Sequence, residues 1–271
     1  MNETHPDHFI EKIDSLNYKN DGVQLLRNVI SIRAVNRVKA ILLKALSNNY
    51  EKLSGMGFCK NGVLDNNAIS NALYNKDVNF DHETRMLLTG QFPKKVRLDK
   101  EIINLASERG LIKAINNCTG LRVDKLHMPP MARFVTPGHS NAAVPPHQDS
   151  SYNKHMSNFV TVWIPLVNIT KTCGGVSVYP GVKEEVEITQ TTKNGQWFEA
   201  LNTKNISSVD CVPMGAGDAL VMNKNTIHRS MLNMSKITRI SLDLRYIPEE
   251  SYSTKHYLNL NSMETIKPET E

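Results

Sequence analysis

The stretch VPPHQDSSY, residues 144–152, sets an imidazole and a carboxylate two residues apart directly behind two prolines. Proline fixes φ and holds its predecessor extended, so Pro145 and Pro146 deliver His147 and Asp149 to the start of an expected strand. Side chains alternate along a strand, so these two share one side and could grip a single metal ion from two directions. They could equally be a surface histidine beside a surface aspartate. The pattern alone decides little: HPD at residues 5–7 repeats it, and among nine histidines a chance match is expected. Weight comes from GAGDALVMNKNTIHRSMLNMSKITRISLDLRY, residues 215–246. There a glycine-rich turn leads into a strand, His228 follows a loop, and Arg239 stands eleven residues later on the next strand. Two histidines and a carboxylate on neighbouring strands can occupy one triangular face of an octahedron. That leaves three positions open, a donor set suited to non-haem Fe(II) and to oxygen chemistry.

Arg239 adds a second constraint. In ITRISLDLRY, Arg239, Ser241, Asp243 and Arg245 share one face, while Thr238, Ile240, Leu242, Leu244 and Tyr246 share the other. A polar face on so apolar a strand predicts a wet cavity on one side and packing against helices on the other. A guanidinium there can hold a carboxylate through two hydrogen bonds, a charge-assisted contact of about 1.5–3 kcal/mol. Arg239 is the first choice for that anchor, and Arg245 the second, possible for a substrate carboxylate. Arg133, in MARFVTPG, is expected to be solvated rather than to face the cavity. His127, His139 and His155 are read as surface or core residues.

These residues need elements to carry them. Before residue 120, DGVQLLRNVI reads as a short strand-like run, and Val35, Val38, Ile41, Leu42 and Leu46 recur at helical spacing. A second helix is expected over 99–120, ended by Gly120. From 121 to about 248 the period falls to two in ARFVTPG, FVTVWIPLVNI, GGVSVYPG, DALVMN and TRISLDLRYI. Helices in front and short strands behind predict a mainly β fold, a sandwich or barrel buttressed by N-terminal helices. One domain is expected over 1–248, with a helical part at 1–120 and the β core at 121–248, followed by a polar, peripheral tail at 249–271.

Composition narrows the classes further. Of the 271 residues, 40% are hydrophobic, ample for a core, and no window approaches eighteen uninterrupted apolar residues. The N-terminus has neither a basic n-region nor an apolar h-region, so an unexported cytoplasmic protein with no membrane partner is expected. Cys59, Cys118, Cys173 and Cys211 are scattered with no CxxC pair, and read as reduced thiols. The net charge of +5 is dispersed among acids, which does not support nucleic-acid binding but suits an anionic substrate.

The order of HxD, distal His, then Arg followed by x-Ser resembles the phytanoyl-CoA dioxygenase family of Fe(II)/2-oxoglutarate-dependent oxygenases. The likeness extends to DGVQLLRNVIS and to CGGVSVYPG, although the usual serine after PG is Val182 here, and it covers most of residues 20–248. It implies a double-stranded β-helix, or jelly-roll, core. By position it implies His147, Asp149 and His228 as iron ligands, and Arg239 with Ser230 at the far carboxylate of 2-oxoglutarate. Gln148 and Trp163 are implied as cavity wall near the metal; taken alone, Ser230 could cap a loop and Trp163 could be ordinary core. The implied cosubstrates are 2-oxoglutarate and O2, with ascorbate as supporting reductant. The implied activity is hydroxylation of an unactivated C–H bond. The family takes acyl-CoA esters, free amino acids and natural-product intermediates. No clustered Lys/Arg stretch is evident in the strand-loop half, so a polar small molecule is expected, with tailoring of a specialised metabolite the first choice. Other classes compatible with the motif are an acyl-CoA or amino-acid hydroxylase and a non-enzymatic iron or 2-oxoglutarate binder. A halogenase on this scaffold would replace Asp149 by Ala or Gly, and a zinc hydrolase would not need Arg239.

Overall fold

The computed structural model describes residues 12–60, 63–75, 78–190 and 197–268. An eight-stranded antiparallel sheet dominates it. The strands run, edge to edge, Val23–Leu26, Ala219–Asn223, Val160–Pro165, Arg239–Pro248, Val123–His127, Tyr257–Asn259 and Thr265–Ile266. The eighth, Met131–Val135, pairs with the first half of Arg239–Pro248, end to end with Val123–His127 along the same side. A smaller sheet, Val209–Asp210, Val176–Tyr179 and Ile227–Ser230, faces it and is lengthened by an antiparallel bridge between His147 and His228. The two faces enclose a jelly-roll interior.

The period of two in the sequence becomes a division of labour. In the central strand pair, in register at Leu242–Ile164 and Leu244–Val162, the even-numbered side chains all face the helices. Ile240, Leu242, Leu244 and Tyr246 are fully buried there, each contributing roughly 1.5–3 kcal/mol of apolar transfer. The odd-numbered positions point into the jelly roll, where Trp163 packs with Leu220, Met222, Val176 and Val178. The Tyr246 hydroxyl donates to the Ala106 carbonyl at 2.7 Å and fixes the long strand against the helical layer.

The helix Ile32–Gly55 supplies most of that layer. Ser31 caps it, its Oγ accepting from the Ala34 amide at 3.2 Å, and Ala34, Val35, Val38, Leu42, Ala45, Leu46 and Leu53 form the buried stripe. The helix expected over 99–120 is instead two, Lys100–Ala106 and Arg109–Thr119. Continued without interruption, the face of Ile102, Leu105 and Ala106 would bring Arg109 and Lys113 into the core. The break at Ser107–Glu108 rephases the chain so that Leu111 and Ile115 are buried instead. Gly120 ends the second helix in the left-handed region, as expected, at φ 72°.

The segment from 249 is not a peripheral tail. Tyr257–Asn259 pairs with Val123–His127, Thr265–Ile266 adds a further strand, and Leu258 is buried. The amide of Met128 donates to the His256 carbonyl at 3.0 Å, so the sheet runs through the expected boundary at 248 without a seam. The short alternation in HYLN, with one apolar residue to bury, was too brief to signal a strand by itself.

Candidate metal centre

His147 and His228 meet because their strands do: each donates its amide to the other's carbonyl at 2.9 Å. In both rings Nδ1 lies against a carbonyl two residues back, Pro145 O at 2.8 Å and Thr226 O at 3.0 Å. A carbonyl only accepts, so Nδ1 carries the proton and Nε2 keeps its lone pair free. Asp149 does not continue a strand as expected; it opens a single 3-10 turn, Asp149–Ser151, while Gln148 before it is extended. His147 and Asp149 therefore still face the same way, with Nε2 and Oδ1 3.9 Å apart. One donor atom from each of His147, Asp149 and His228 lies within 4.8 Å of the other two, and all three residues belong to one buried group. Burial, then the neighbouring His228, draws His147 down to about 3, so its ring is neutral, the form that binds a metal.

Asp149 is held firmly. Oδ2 accepts from the Thr161 hydroxyl at 2.6 Å, and Nη2 of Arg245 donates to Oδ1 and Oδ2 at 3.0 and 3.1 Å. Burial, the largest single influence, would raise this carboxyl, but the Arg245 guanidinium, the two histidines and the Thr161 hydroxyl together outweigh it and keep Asp149 well below the usual carboxylate range. Arg245 is thus already committed to Asp149, which corrects its reading as a reserve anchor for a substrate carboxylate. Thr161 did not stand out in the sequence. It is an odd-numbered residue on the inward face of a strand whose other face is apolar, and that alternation was its signal.

A narrow recess continues from this group between the two sheets, lined by Thr161, Trp163, Ser230, Arg239 and Ser241 among others. Arg239 is only 4% exposed, and its Nη1 donates to the carbonyls of Gly175 and Met231, each at 3.1 Å. Gly174 shapes that cradle: at φ 60° it leaves room for the Leu232 carbonyl where a Cβ would collide. No carboxylate lies within ion-pairing distance of Arg239 among the described residues. Burial, then the nearby Arg133, draws its guanidinium down to about 10, still fully charged at neutral pH. The structure therefore brings Ser230 and Trp163 to one recess with Arg239.

Gln148 goes elsewhere. As the residue between two inward-facing neighbours it points outward, its Nε2 donating to the carbonyls of Glu184 and Asn225 at 2.7 and 2.6 Å, and its Oε1 accepting from the Val186 amide at 3.0 Å. It is no cavity wall; it fastens the 183–186 loop to the ligand segment. Arg133, expected in solvent, lines both cavities, donates to Ala142 O at 2.8 Å and lies over the Trp197 ring at 5.5 Å. The larger cavity, about 600 Å³, opens on the other side of His147 and Asp149. Its walls come from the 82–97 segment, from Trp197, and from Lys255 and His256 beyond the expected boundary. His127 and His155, read as ordinary surface or core residues, also line it. The HPD at 5–7 lies outside the described residues. All four cysteines are free thiols. Among the described residues no helix is long and apolar enough to cross a membrane.

Comparisons with known proteins give a family and a fold. The family model described as Phytanoyl-CoA dioxygenase (PhyH) matches residues 18–241. A 1-deoxypentalenic acid 11-beta-hydroxylase from Streptomyces exfoliatus is 29% identical over 119 residues, 40% of this chain and 42% of that protein's length. Among solved structures, the epimerase SnoN in complex with Fe3+, alpha ketoglutarate and nogalamycin RO aligns with a TM-score of 0.58 at 15% identity, over 88% of this chain and 83% of that one. EvdO2 from Micromonospora carbonacea var. aurantiaca, complexed with 2-oxoglutarate, aligns with a TM-score of 0.57 at 17% identity, over 88% and 90%. At these identities the structural likenesses establish a shared fold.

Proposed function

The chain belongs to the phytanoyl-CoA dioxygenase family, and from that premise we propose that it is an Fe(II)/2-oxoglutarate-dependent oxygenase that hydroxylates an unactivated C–H bond of a polar small molecule, as a tailoring step on a specialised metabolite. The observation that carries the reading is the pairing of a buried two-histidine, one-carboxylate group with a buried, unpaired guanidinium in one recess.

The donors fit iron. Two imidazoles present free Nε2 atoms and one carboxylate is ionised, a set that suits Fe(II) with positions to spare. His147, Asp149 and His228 hold the metal in this reading. Arg239, beside Ser230, takes the far carboxylate of 2-oxoglutarate, because a guanidinium buried without a carboxylate partner demands one. When bound, the metal and the keto acid supply the oxidising power: O2 and 2-oxoglutarate are consumed, succinate and CO2 leave, and one oxygen atom enters the substrate as hydroxyl.

The chain's own residues orient and protect that chemistry. Thr161 and Arg245 fix the Asp149 carboxylate, and the Pro145 and Thr226 carbonyls fix the two ring tautomers. Trp163 lines the recess and packs into the apolar core behind it. The larger cavity, bounded by Trp197 and the 82–97 segment, receives the substrate next to His147 and Asp149. The hydroxylase and epimerase activities named for the relatives support a metabolite substrate. Four free thiols, three of them buried, suit a reducing compartment, so the reading places the protein in the cytoplasm.

The test incubates the enzyme with Fe(II), ascorbate, 2-oxoglutarate and metabolite extract of the source cells, and follows succinate release together with any species that gains one oxygen atom by mass. Asp149→Ala should abolish both. Full turnover by that variant would refute the assignment, and a long-chain acyl-CoA as the sole compound oxidised would refute the substrate class.

A further inference from the structure

We infer that the substrate is an organic anion, whose carboxylate or phosphate is held in the larger cavity by Arg97, His127, His155 and Lys255. The inference names the substrate class within the oxygenase reading above and rests on it for the fate of that substrate.

Four distant segments converge to make this wall. Arg97 ends the short helix Lys94–Arg97, His127 ends the strand Val123–His127, His155 follows the ligand segment, and Lys255 precedes the strand Tyr257–Asn259. The rings of His127 and His155 lie 4.8 Å apart. Arg97 is 6% exposed; one terminal nitrogen donates to Pro130 O at 3.2 Å, while its Nε is buried without a partner. Nε2 of His127 and Nε2 of His155 are also buried and unpartnered. Each such atom costs about 1–3 kcal/mol, so three in one cavity wall mark a place where a ligand supplies acceptors.

Charge selects an anion over a neutral acceptor. Among the described residues the cavity is lined by Arg85, Arg97, Arg133, Arg245 and Lys255, against the carboxylates of Asp149 and Asp243 only. Asp149 is taken by Arg245. Neither Arg97 nor Lys255 has an ion-pair partner among the described residues. Burial, then the charge of Arg245, lowers the Arg97 guanidinium, and burial followed by Arg245 pulls His127 down to about 3. Arg97 and His127 both feel the positive charge of Arg245, and neither has a carboxylate partner among the described residues, a repulsion that a bound oxyanion would relieve. An arginine fork matches the two oxygens of a carboxylate or phosphate. The cluster is one compact patch, suited to one anionic group rather than to the spread phosphates of an acyl-CoA. Arg245 lies between the patch and Asp149, so a molecule tethered there presents its remaining carbon skeleton towards the His147–Asp149 corner.

Enzyme loaded anaerobically with Fe(II) and saturating 2-oxoglutarate, so that the recess is filled, is titrated calorimetrically with benzoate, phenyl phosphate and neutral benzamide. At least one of the two anions should bind tenfold or more tightly than benzamide, and the tighter one identifies carboxylate or phosphate. Arg97→Gln should weaken that anion at least tenfold without changing benzamide binding. Because Arg97 is buried and its variant could fold poorly, Lys255→Gln at the exposed mouth is the second variant, expected to weaken the anion about threefold. Benzamide binding as tightly as both anions, or anion binding indifferent to the two substitutions, overturns the inference. If iron and 2-oxoglutarate themselves fail to bind, the oxygenase reading fails, while the comparison of benzoate with benzamide still decides the anion site.

Discussion

Replacing Arg239 by leucine removes a guanidinium that is buried in the recess with no carboxylate partner among the described residues, and its consequences can be worked from its contacts. A charge-assisted hydrogen bond to the far carboxylate of 2-oxoglutarate contributes about 1.5–3 kcal/mol, so its loss raises the dissociation constant roughly ten- to hundredfold, at about 1.4 kcal/mol per decade. Two carbonyls, Gly175 O and Met231 O, also lose their donor. Each costs about 1–3 kcal/mol if left dry, but the variant no longer buries an unpaired cation, a penalty of several kcal/mol, so the ligand-free protein should change little in stability. Ligand-bound protein should differ sharply. At a 2-oxoglutarate concentration 100 times its dissociation constant, wild type gains about 2.7 kcal/mol. The same concentration gives a variant weakened a hundredfold only about 0.4 kcal/mol. For a chain of this size that is a rise in melting temperature of roughly 5–10 °C against about 1 °C. Thermal unfolding with Mn(II), with and without 2-oxoglutarate, reads the difference, and anaerobic titration of the Fe(II)–keto acid charge-transfer band reads the affinity. A variant with the wild-type thermal shift and band would show that Arg239 is not the anchor.

Three further outcomes follow from other contacts. Arg245→Leu leaves Asp149 as a buried carboxylate without its cation, so the metal-free protein should lose about 3–5 kcal/mol by urea unfolding, with much of the loss restored by Mn(II). Its affinity for 2-oxoglutarate at saturating metal should fall less than that of Arg239→Leu, and the opposite ranking would show that the wrong arginine was assigned to the cosubstrate. Gln148→Leu removes two hydrogen bonds that fasten the 183–186 loop and a third to the Asn225 carbonyl, and should accelerate limited proteolysis in that loop severalfold while leaving metal affinity within about twofold. An unchanged cleavage rate would exclude the fastening role. The last concerns pH: burial draws His127 down to about 3 and His139 down to about 4, so both are neutral in the folded protein. The unfolded chain takes up those protons below about pH 6.5, so stability should fall as pH drops from there towards 4, by about 1.4 kcal/mol per unit for each histidine. His139→Asn should flatten that slope in urea titrations, and an unaltered slope would assign the acid sensitivity to other groups.

How much of this was written locally in the chain follows from where each signal resides. The strand ITRISLDLRY declares its two faces because alternation is a property of neighbours, and so the inward positions of Arg239, Ser241, Asp243 and Arg245 were legible before any fold was known. The proline pair likewise announced an extended segment, and the outward turn of Gln148 between His147 and Asp149 follows from the same alternation that faces those two inward. Local pattern stops at the point where two distant segments choose each other. Nothing near Arg245 says that it will reach Asp149 rather than a ligand, since that choice depends on the register between Val160–Pro165 and Arg239–Pro248, which also delivers Thr161 to the same carboxylate. The break at Ser107–Glu108 is intermediate, for the residues that would have entered the core at 109 and 113 are charged and could be read, but only by asking which face an uninterrupted helix would bury. The basic patch is the extreme case. Searched for as a run of Lys and Arg it is absent, because Arg97, His127, His155 and Lys255 are separated by tens of residues and meet only when the last strands close on the sheet beside Val123–His127. The chain after 248, polar and unpatterned in sequence, carries the lysine of that patch and the strand that positions it. A charge cluster of this kind is a property of topology, so the affinity of the cavity for anions should fall if residues 249–268 are undocked even while the metal ligands, on other segments, stay in place.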